Sequence, residues 1–126
     1  MTAKIERIGA VPLPFLVAET DGEIDGYAYL SPYNERSAYR HTAECSVYVA
    51  PERRAGGVGR ALMERLLEEG QRLGVREVIA IVGVTDDPAP LALPRALGFR
   101  EAGTLERVGF KFGRWYDTVL MQRSLG

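Results

Sequence analysis

A glycine-rich turn flanked by arginines is the stretch of the sequence best suited to binding a ligand. Its residues are Arg54, Ala55, Gly56, Gly57, Val58, Gly59 and Arg60. Glycines let a backbone curl closely around a ligand, and the first turn of a helix presents unpaired amides that suit an anion. With the arginine charges added, the turn predicts a pyrophosphate site. A glycine-rich hairpin with incidental arginines is the alternative interpretation.

Glu44 is the candidate general base. It is a carboxylate early in an otherwise apolar run, just upstream of the turn. Partial desolvation there would suit it to accept a proton. The alternative is a structural carboxylate paired with an arginine such as Arg40. His41 could also move protons, but a histidine in a surface loop is the favoured interpretation.

The elements around the turn follow from hydrophobic spacing. Val47, Tyr48 and Val49 are β-branched or aromatic, which favours a strand, and Pro51 ends it. After the turn, apolar residues spaced by three and four predict an amphipathic helix that Gly74 terminates. The turn therefore lies between a strand and a helix.

Composition excludes several classes of function. The chain has 126 residues, a formal net charge of −1, one cysteine and one histidine. Near-neutral charge gives no electrostatic argument for nucleic acid or a membrane as partner, and so few thiols and imidazoles argue against a metal site. No segment predicts a signal peptide or a membrane span. We therefore expect one domain over residues 1–126, in the cytoplasm.

The remaining segments predict further elements of an α/β fold with a mixed sheet. A helix tail is expected over 2–9, and a nearly continuous apolar strand over 77–82 is of the kind buried on both faces. A helix capped near 86–88 and kinked by Pro94 should run to Gly98. The other expected strands are 15–19, 24–30, 99–110 and 114–123, with a hairpin turn at Asp21-Gly22.

The turn also matches a known pattern. It lacks the Gly-Lys-Ser/Thr of a Walker A loop and the third glycine of a dinucleotide fingerprint. It does match Arg/Gln-x-x-Gly-x-Gly/Ala, and so resembles the acetyl-CoA loop of the GCN5-related N-acetyltransferases (GNATs). Within that superfamily the chain resembles the phosphinothricin and methionine sulfoximine N-acetyltransferases. The matching segments are 26–29, 38–39, 42–44, 47–49, 96–99 and 109–117.

This resemblance implies a GNAT-like mixed, mostly antiparallel sheet flanked by helices, with acetyl-CoA as donor and no metal. It implies a small amino-acid-like amine as acceptor and Glu44 as the base for direct attack. The backbone of Val47, Tyr48 and Val49 would bind the pantetheine arm and the thioester oxygen. Cys45 should face away from Glu44, which favours direct transfer over an acyl-cysteine route.

Aromatic and charged residues in two segments are candidates for binding the acceptor. Tyr33, Tyr39 and Trp115 could line an acceptor pocket, and Arg36 or Lys111 could bind an acidic group of the substrate. The alternative is that the aromatic residues belong to the core or to an interface.

The chain departs from the family pattern in two places. The family's asparagine near CoA falls on Asp86 or, counted from the other side, on Asp87, and its histidine or tyrosine falls near Leu93 or Pro94. The family also begins with a strand and two helices before the segment matching Phe15. The resemblance therefore implies either that the sequence begins inside a longer protein or that it is an N-terminally shortened form. The missing strand would leave an unpaired sheet edge at 15–19, which a homodimer could cover.

Three other functions stay open from the sequence. One is a GNAT for another acceptor class, such as a polyamine or a peptide N-terminus. Another is a CoA-binding regulatory or assembly module without catalysis. The third is a generic nucleotide-phosphate binding domain.

Overall fold

The computed structural model describes residues 3–9 and 12–126. Its strands and helices are β1 Lys4–Arg7, β2 Phe15–Thr20, β3 Glu23–Pro32, β4 Thr42–Val49, α1 Val58–Arg72, β5 Glu77–Val84, α2 Ala92–Ala96, β6 Arg100–Lys111 and β7 Arg114–Ser124. Short 3-10 turns cover Ser37–Tyr39, Pro51–Gly56 and Ala89–Leu91. No helix among these residues is long and apolar enough to cross a bilayer.

The strands form one sheet in the order β1-β2-β3-β4-β5-β7-β6. Every neighbouring pair is antiparallel except β4 and β5, which are parallel. A parallel pair needs a crossover connection, and α1 supplies it. The expected mixed, mostly antiparallel sheet is confirmed.

One face of the sheet packs against α1 and forms the core. Leu62 and Leu66 of α1 are fully buried, as are Leu16 of β2, Val78 of β5 and Met121 of β7. The spacing of the α1 residues matches the predicted amphipathic helix. The core therefore fixes the start of α1 against the central strands.

The opposite face of the sheet carries a row of stacked aromatic rings. The rings of Phe15 and Tyr29 are 5.2 Å apart, and those of Tyr27 and Tyr48 are 5.5 Å apart. Side chains alternate between faces along a strand, so Glu44 shares this face with Tyr48. The predicted base thus lies on the face of the sheet away from α1.

The prediction for the beginning of the chain is wrong. Lys4–Arg7 is a strand rather than a helix tail, and Thr2 lies outside the described residues. This strand pairs with β2 from Lys4↔Glu19 to Arg7↔Leu16, so the edge at 15–19 is not left unpaired. Ile5 and Ile8 have helical spacing, but the pairing capacity of the β2 edge decides the conformation.

Two predictions after α1 also need correction. β5 is not buried on both faces, because Ile81 is 49% exposed while Val78 is fully buried. The helix expected to run to Gly98 is a 3-10 turn followed by one short α-helical turn, Ala92–Ala96. Prolines in this segment remove the amide donors that a longer helix needs.

Candidate active site

A gap opens between the two central strands. β4 and β5 are in register only from Thr42↔Glu77 to Cys45↔Ala80. Beyond that point β4 still pairs with β3 up to Val49, and β5 still pairs with β7 up to Val84. In an antiparallel ladder, alternate residues direct their backbone groups away from the partner strand. Val47, Tyr48 and Val49 lie on this stretch of β4, so some of its amides and carbonyls face the gap.

The gap widens into a cleft of about 350 Å3. Its lining comes from residues 44–47 of β4, 80–83 of β5, Met63 of α1, and Pro90, Leu93 and Pro94. Glu44 stands where the two strands still pair, at the closed end of the cleft. The strand geometry therefore brings the predicted base and the strand edge predicted to bind pantetheine to one cavity.

Glu44 and Cys45 point to opposite faces, as predicted. Glu44 is half-buried, and no ion pair to it is present among the described residues, since Arg40 donates to the carbonyl of Ser37 instead. The alternative pairing with Arg40 therefore finds no support. Cys45 is buried, and this burial raises the pKa of its thiol to about 12. A thiol held in that protonated form is a poor nucleophile.

The glycine turn forms one border of the site. Gly57 adopts φ +79°, and α1 begins at Val58 without a side-chain cap. The amide of Ala61 donates to the carbonyl of Gly57, so the amides before it have no such helical partner. A Cβ at Gly59 would lie 3.3 Å from Val49 and from Leu93, so glycine allows close approach there. These features fit an anion-binding helix start.

The arginines in and beside the turn differ in their exposure and in their ion-pair partners. Arg54 is exposed, whereas the Nε atom of Arg60 lies 2.8 Å from Oε1 of Glu64, one helical turn along. Arg53, which the sequence did not single out, is 3.1 Å from the buried carboxylate of Asp25. Arg54 is thus the arginine of the turn most available to a phosphate.

Three of the predicted acceptor residues lie in the connection before β4. The rings of Tyr33 and Tyr39 are 6.2 Å apart and exposed, and the amide of Arg36 donates to the side chain of Asn34. The amide of Tyr33 donates to the carbonyl of Thr42, close in sequence to Glu44. None of the three residues is among those that line the cleft.

The remaining predicted residues are Asp86, which follows β5, and Lys111 and Trp115 of the β6–β7 hairpin. Asp86 and Trp115 line a separate recess of about 400 Å3 with Arg107, and so Asp86 is not beside the glycine turn. Lys111 stands 5.0 Å from the ring centroid of Tyr116. The structure does not bring Asp86, Lys111 and Trp115 into the cleft that contains Glu44.

Arg107 was not predicted from the sequence as a site residue. It has φ +51° in a bulge of β6, and its amide donates to Oδ1 of Asp117 at 2.8 Å. A non-glycine residue in that conformation is uncommon. Asp117 ends the 109–117 segment of the family resemblance, but nothing in that segment predicts a bulge at Arg107.

The comparison with protein families settles the classification. The model of the acetyltransferase (GNAT) family matches residues 2–99. The chain belongs to the GNAT family. The split between β4 and β5 and the turn before α1 therefore belong to a GNAT domain.

Individual relatives agree with this GNAT assignment. The chain is 50% identical over 125 residues to a phosphinothricin N-acetyltransferase of Alcaligenes faecalis, covering 99% of this chain and 64% of that protein. It is 38% identical over 112 residues to an L-methionine sulfoximine/L-methionine sulfone acetyltransferase of Salmonella typhimurium, covering 89% of this chain and 65% of that protein. The chain therefore spans slightly less than two-thirds of the length of these curated relatives.

A solved structure extends the likeness to the whole chain. It is that of a GNAT superfamily phosphinothricin acetyltransferase from Sinorhizobium meliloti in complex with acetyl-CoA, with a TM-score of 0.90 and 34% identity. The match covers 100% of this chain and 90% of that one.

Proposed function

We propose that this chain is an acetyl-CoA-dependent N-acetyltransferase for a small amino-acid-like amine. The observation that carries the proposal is the cleft between β4 and β5, which has Glu44 at its closed end and the glycine turn beside its open end. The similar enzymes are named for phosphinothricin and for methionine sulfoximine or methionine sulfone. An acceptor of that type is therefore the first to test.

The residues present fit acetyl-CoA. The uncapped amides at the start of α1, together with Arg54, would hold the pyrophosphate. Amides on residues 47–49 that face the gap would hold the pantetheine arm and the thioester oxygen. Bound acetyl-CoA supplies an activated acyl thioester.

Glu44 would act on the acceptor. An ammonium group cannot attack a carbonyl until it loses a proton, and a half-buried carboxylate without an ion pair among the described residues can accept it, directly or through water. The face that Glu44 shares with Tyr48 is away from α1, so donor and acceptor would approach the cleft from different sides of the sheet.

Titration calorimetry with acetyl-CoA, followed by a thiol-release assay with methionine sulfone, tests this proposal. We expect binding and then release of free CoA. Glu44→Gln should lower turnover by about 100-fold or more, in the range of general-base contributions, and leave acetyl-CoA affinity within about twofold. The control is Glu68→Gln, which removes an exposed carboxylate of α1 outside the cleft.

Each negative result would reject a different part of the proposal. Unchanged turnover in Glu44→Gln would reject Glu44 as the base. Release with spermidine or a peptide amine but not with methionine sulfone would place the chain in another acceptor class. Binding of ATP in preference to acetyl-CoA would reject the acetyltransferase function altogether.

A CoA-binding module without catalysis is the second candidate. Leu93 and Pro94 line the cleft where the family resemblance implies a histidine or tyrosine. Neither side chain can give a proton to the leaving thiolate, which must then leave unprotonated or take its proton from water. Binding of acetyl-CoA with no release to any amine would favour this second function.

We also infer that the chain is a homodimer. Its accessible surface is 8112 Å2, whereas a compact monomer of its mass exposes roughly 6,700 Å2. The difference exceeds the approximately 800 Å2 per partner of a standard interface. Phe110, Phe112 and Trp115 of the β6–β7 hairpin are 61%, 88% and 60% exposed, and they form an apolar cluster suited to an interface.

A further inference from the structure

Asp25 is a buried carboxylate at the start of β3 that the proposed chemistry does not use. It is 2% exposed. Its Oδ2 atom accepts a hydrogen bond from the hydroxyl of Thr20 at 2.6 Å, and its Oδ1 atom lies 3.1 Å from Nε of Arg53. Its backbone carbonyl accepts the amide of Ala50 at 2.8 Å. Asp25 therefore contacts Ala50 through its main chain and Arg53 through its side chain, at the start of the Pro51–Gly56 turn that leads to Gly57.

Little else packs against Gly56 and Gly57 of the glycine turn. A recess of about 350 Å3 lies between the turn, the start of α1 and the edge strands of the sheet. Gly56 and Gly57 line this recess, and a Cβ added to either would meet no atom within 4 Å. Side-chain packing therefore does not hold these two glycines, whereas the bonds from Asp25 join Ala50 and Arg53 to the sheet.

We propose that Asp25 is a positioning residue, which holds the Pro51–Gly56 turn in the shape that binds the pyrophosphate. The inference rests on the proposed function. Arg53 is the link, because its guanidinium is bound to Asp25 while Arg54, next along the chain, is exposed. A buried carboxylate requires its charged partner, so Asp25 keeps Arg53 in place and leaves Arg54 for the ligand.

Two substitutions each remove one partner of the ion pair between Asp25 and Arg53. Asp25→Asn keeps an acceptor for Thr20 but removes the charge, and Arg53→Met keeps the side-chain stem but removes the guanidinium. If the binding-competent turn falls to about a tenth of the population, the Kd for acetyl-CoA rises about tenfold. Each variant should show that rise, and the double variant should show no more than a single one. kcat at saturating acetyl-CoA should be unchanged.

The matched control is Glu69→Gln. Glu69 is the other buried carboxylate among the described residues, is 8% exposed, and is bridged to Arg65 at 2.9 Å on the far part of α1. Its loss should lower the melting temperature without changing the Kd. A rise in Kd for Glu69→Gln equal to that for Asp25→Asn would overturn the proposal, because general destabilisation would then explain both.

Hydrogen exchange of the amides of residues 52–57 keeps this test separate from that of the proposed function. Asp25→Asn and Arg53→Met should each raise exchange there, and Glu69→Gln should not. Weak binding only in Arg53→Met would make Arg53 a direct phosphate ligand and reject a role for Asp25. If the wild-type chain does not bind acetyl-CoA, the proposed function fails, while unchanged exchange in both variants would reject the positioning role by itself. Should Asp25→Asn not fold, hydrogen exchange in Arg53→Met carries the test: raised exchange supports the positioning role, and unchanged exchange rejects it.

Discussion

Gly57 is the residue of the turn at which backbone conformation can be tested most directly. It adopts φ +79°, and a Cβ built there meets no atom within 4 Å. Alanine at this position therefore meets no steric contact and suffers only the cost of a left-handed backbone, about 1–2 kcal/mol. Gly56 provides the matched control, because its Cβ would also meet no atom within 4 Å and its φ is not positive.

The comparison of the two alanine variants isolates that cost. Both remove a glycine from the unfolded chain, which by itself stabilises a protein by about 0.4–1 kcal/mol. Gly56→Ala should therefore be neutral or slightly stabilising, and Gly57→Ala should be less stable than Gly56→Ala by about 1–2 kcal/mol. For a domain of this size the two melting temperatures should differ by roughly 4–8 °C.

Urea unfolding followed by circular dichroism measures the difference. Gly57→Asn adds a useful intermediate, since asparagine tolerates the left-handed region better than alanine, and its stability should fall between the two alanine variants. Equal stabilities for Gly56→Ala and Gly57→Ala would refute the reasoning, because Gly57 would then not require its left-handed conformation.

Two further predictions concern residues outside the turn. Burial raises the pKa of Cys45 from 9.0 to about 12, so the unfolded thiol ionises first as the pH rises. The free energy of unfolding should therefore fall by about 1.4 kcal/mol per unit between about pH 9 and pH 12, relative to Cys45→Ala; equal slopes for the two proteins would contradict this. Phe112 is 88% exposed at the hairpin, and Phe112→Ser should shift the proposed dimer toward monomer in sedimentation equilibrium, whereas an undiminished dimer would remove this hairpin from the interface.

The sequence predicted the central strands and α1 well because their signals are local and strong. The β-branched and aromatic run Val47-Tyr48-Val49 lies in strand β4, and the spacing of Leu62 and Leu66 gives both the helix and its buried face. Lys4–Arg7 was harder, because four residues with two compatible periodicities take their conformation from the strand they meet. Local pattern contains no information about that partner.

The residues of the candidate site also differ in how far the sequence predicts them. Glu44 and the glycine turn could be found because residue type and position in the chain already suggest their chemistry. Asp86 and Trp115 could not be placed, since their surroundings depend on how the β6–β7 hairpin bends at its bulge. The link between Asp25 and Arg53 joins residues far apart in sequence, and an acidic residue at the start of a strand gives no sign that it will be buried beside an arginine.

The short register between β4 and β5 also affects how cooperatively the sheet holds together. Only the pairs from Thr42↔Glu77 to Cys45↔Ala80 join the β1–β4 half of the sheet to the half formed by β5, β7 and β6. Two halves joined over so short a ladder are suited to open as separate units of local unfolding. A ligand that contacts both strands would couple them and add about 2.7 kcal/mol to the stability at a concentration 100 times its Kd. The donor substrate would then be part of what makes the two halves unfold as one.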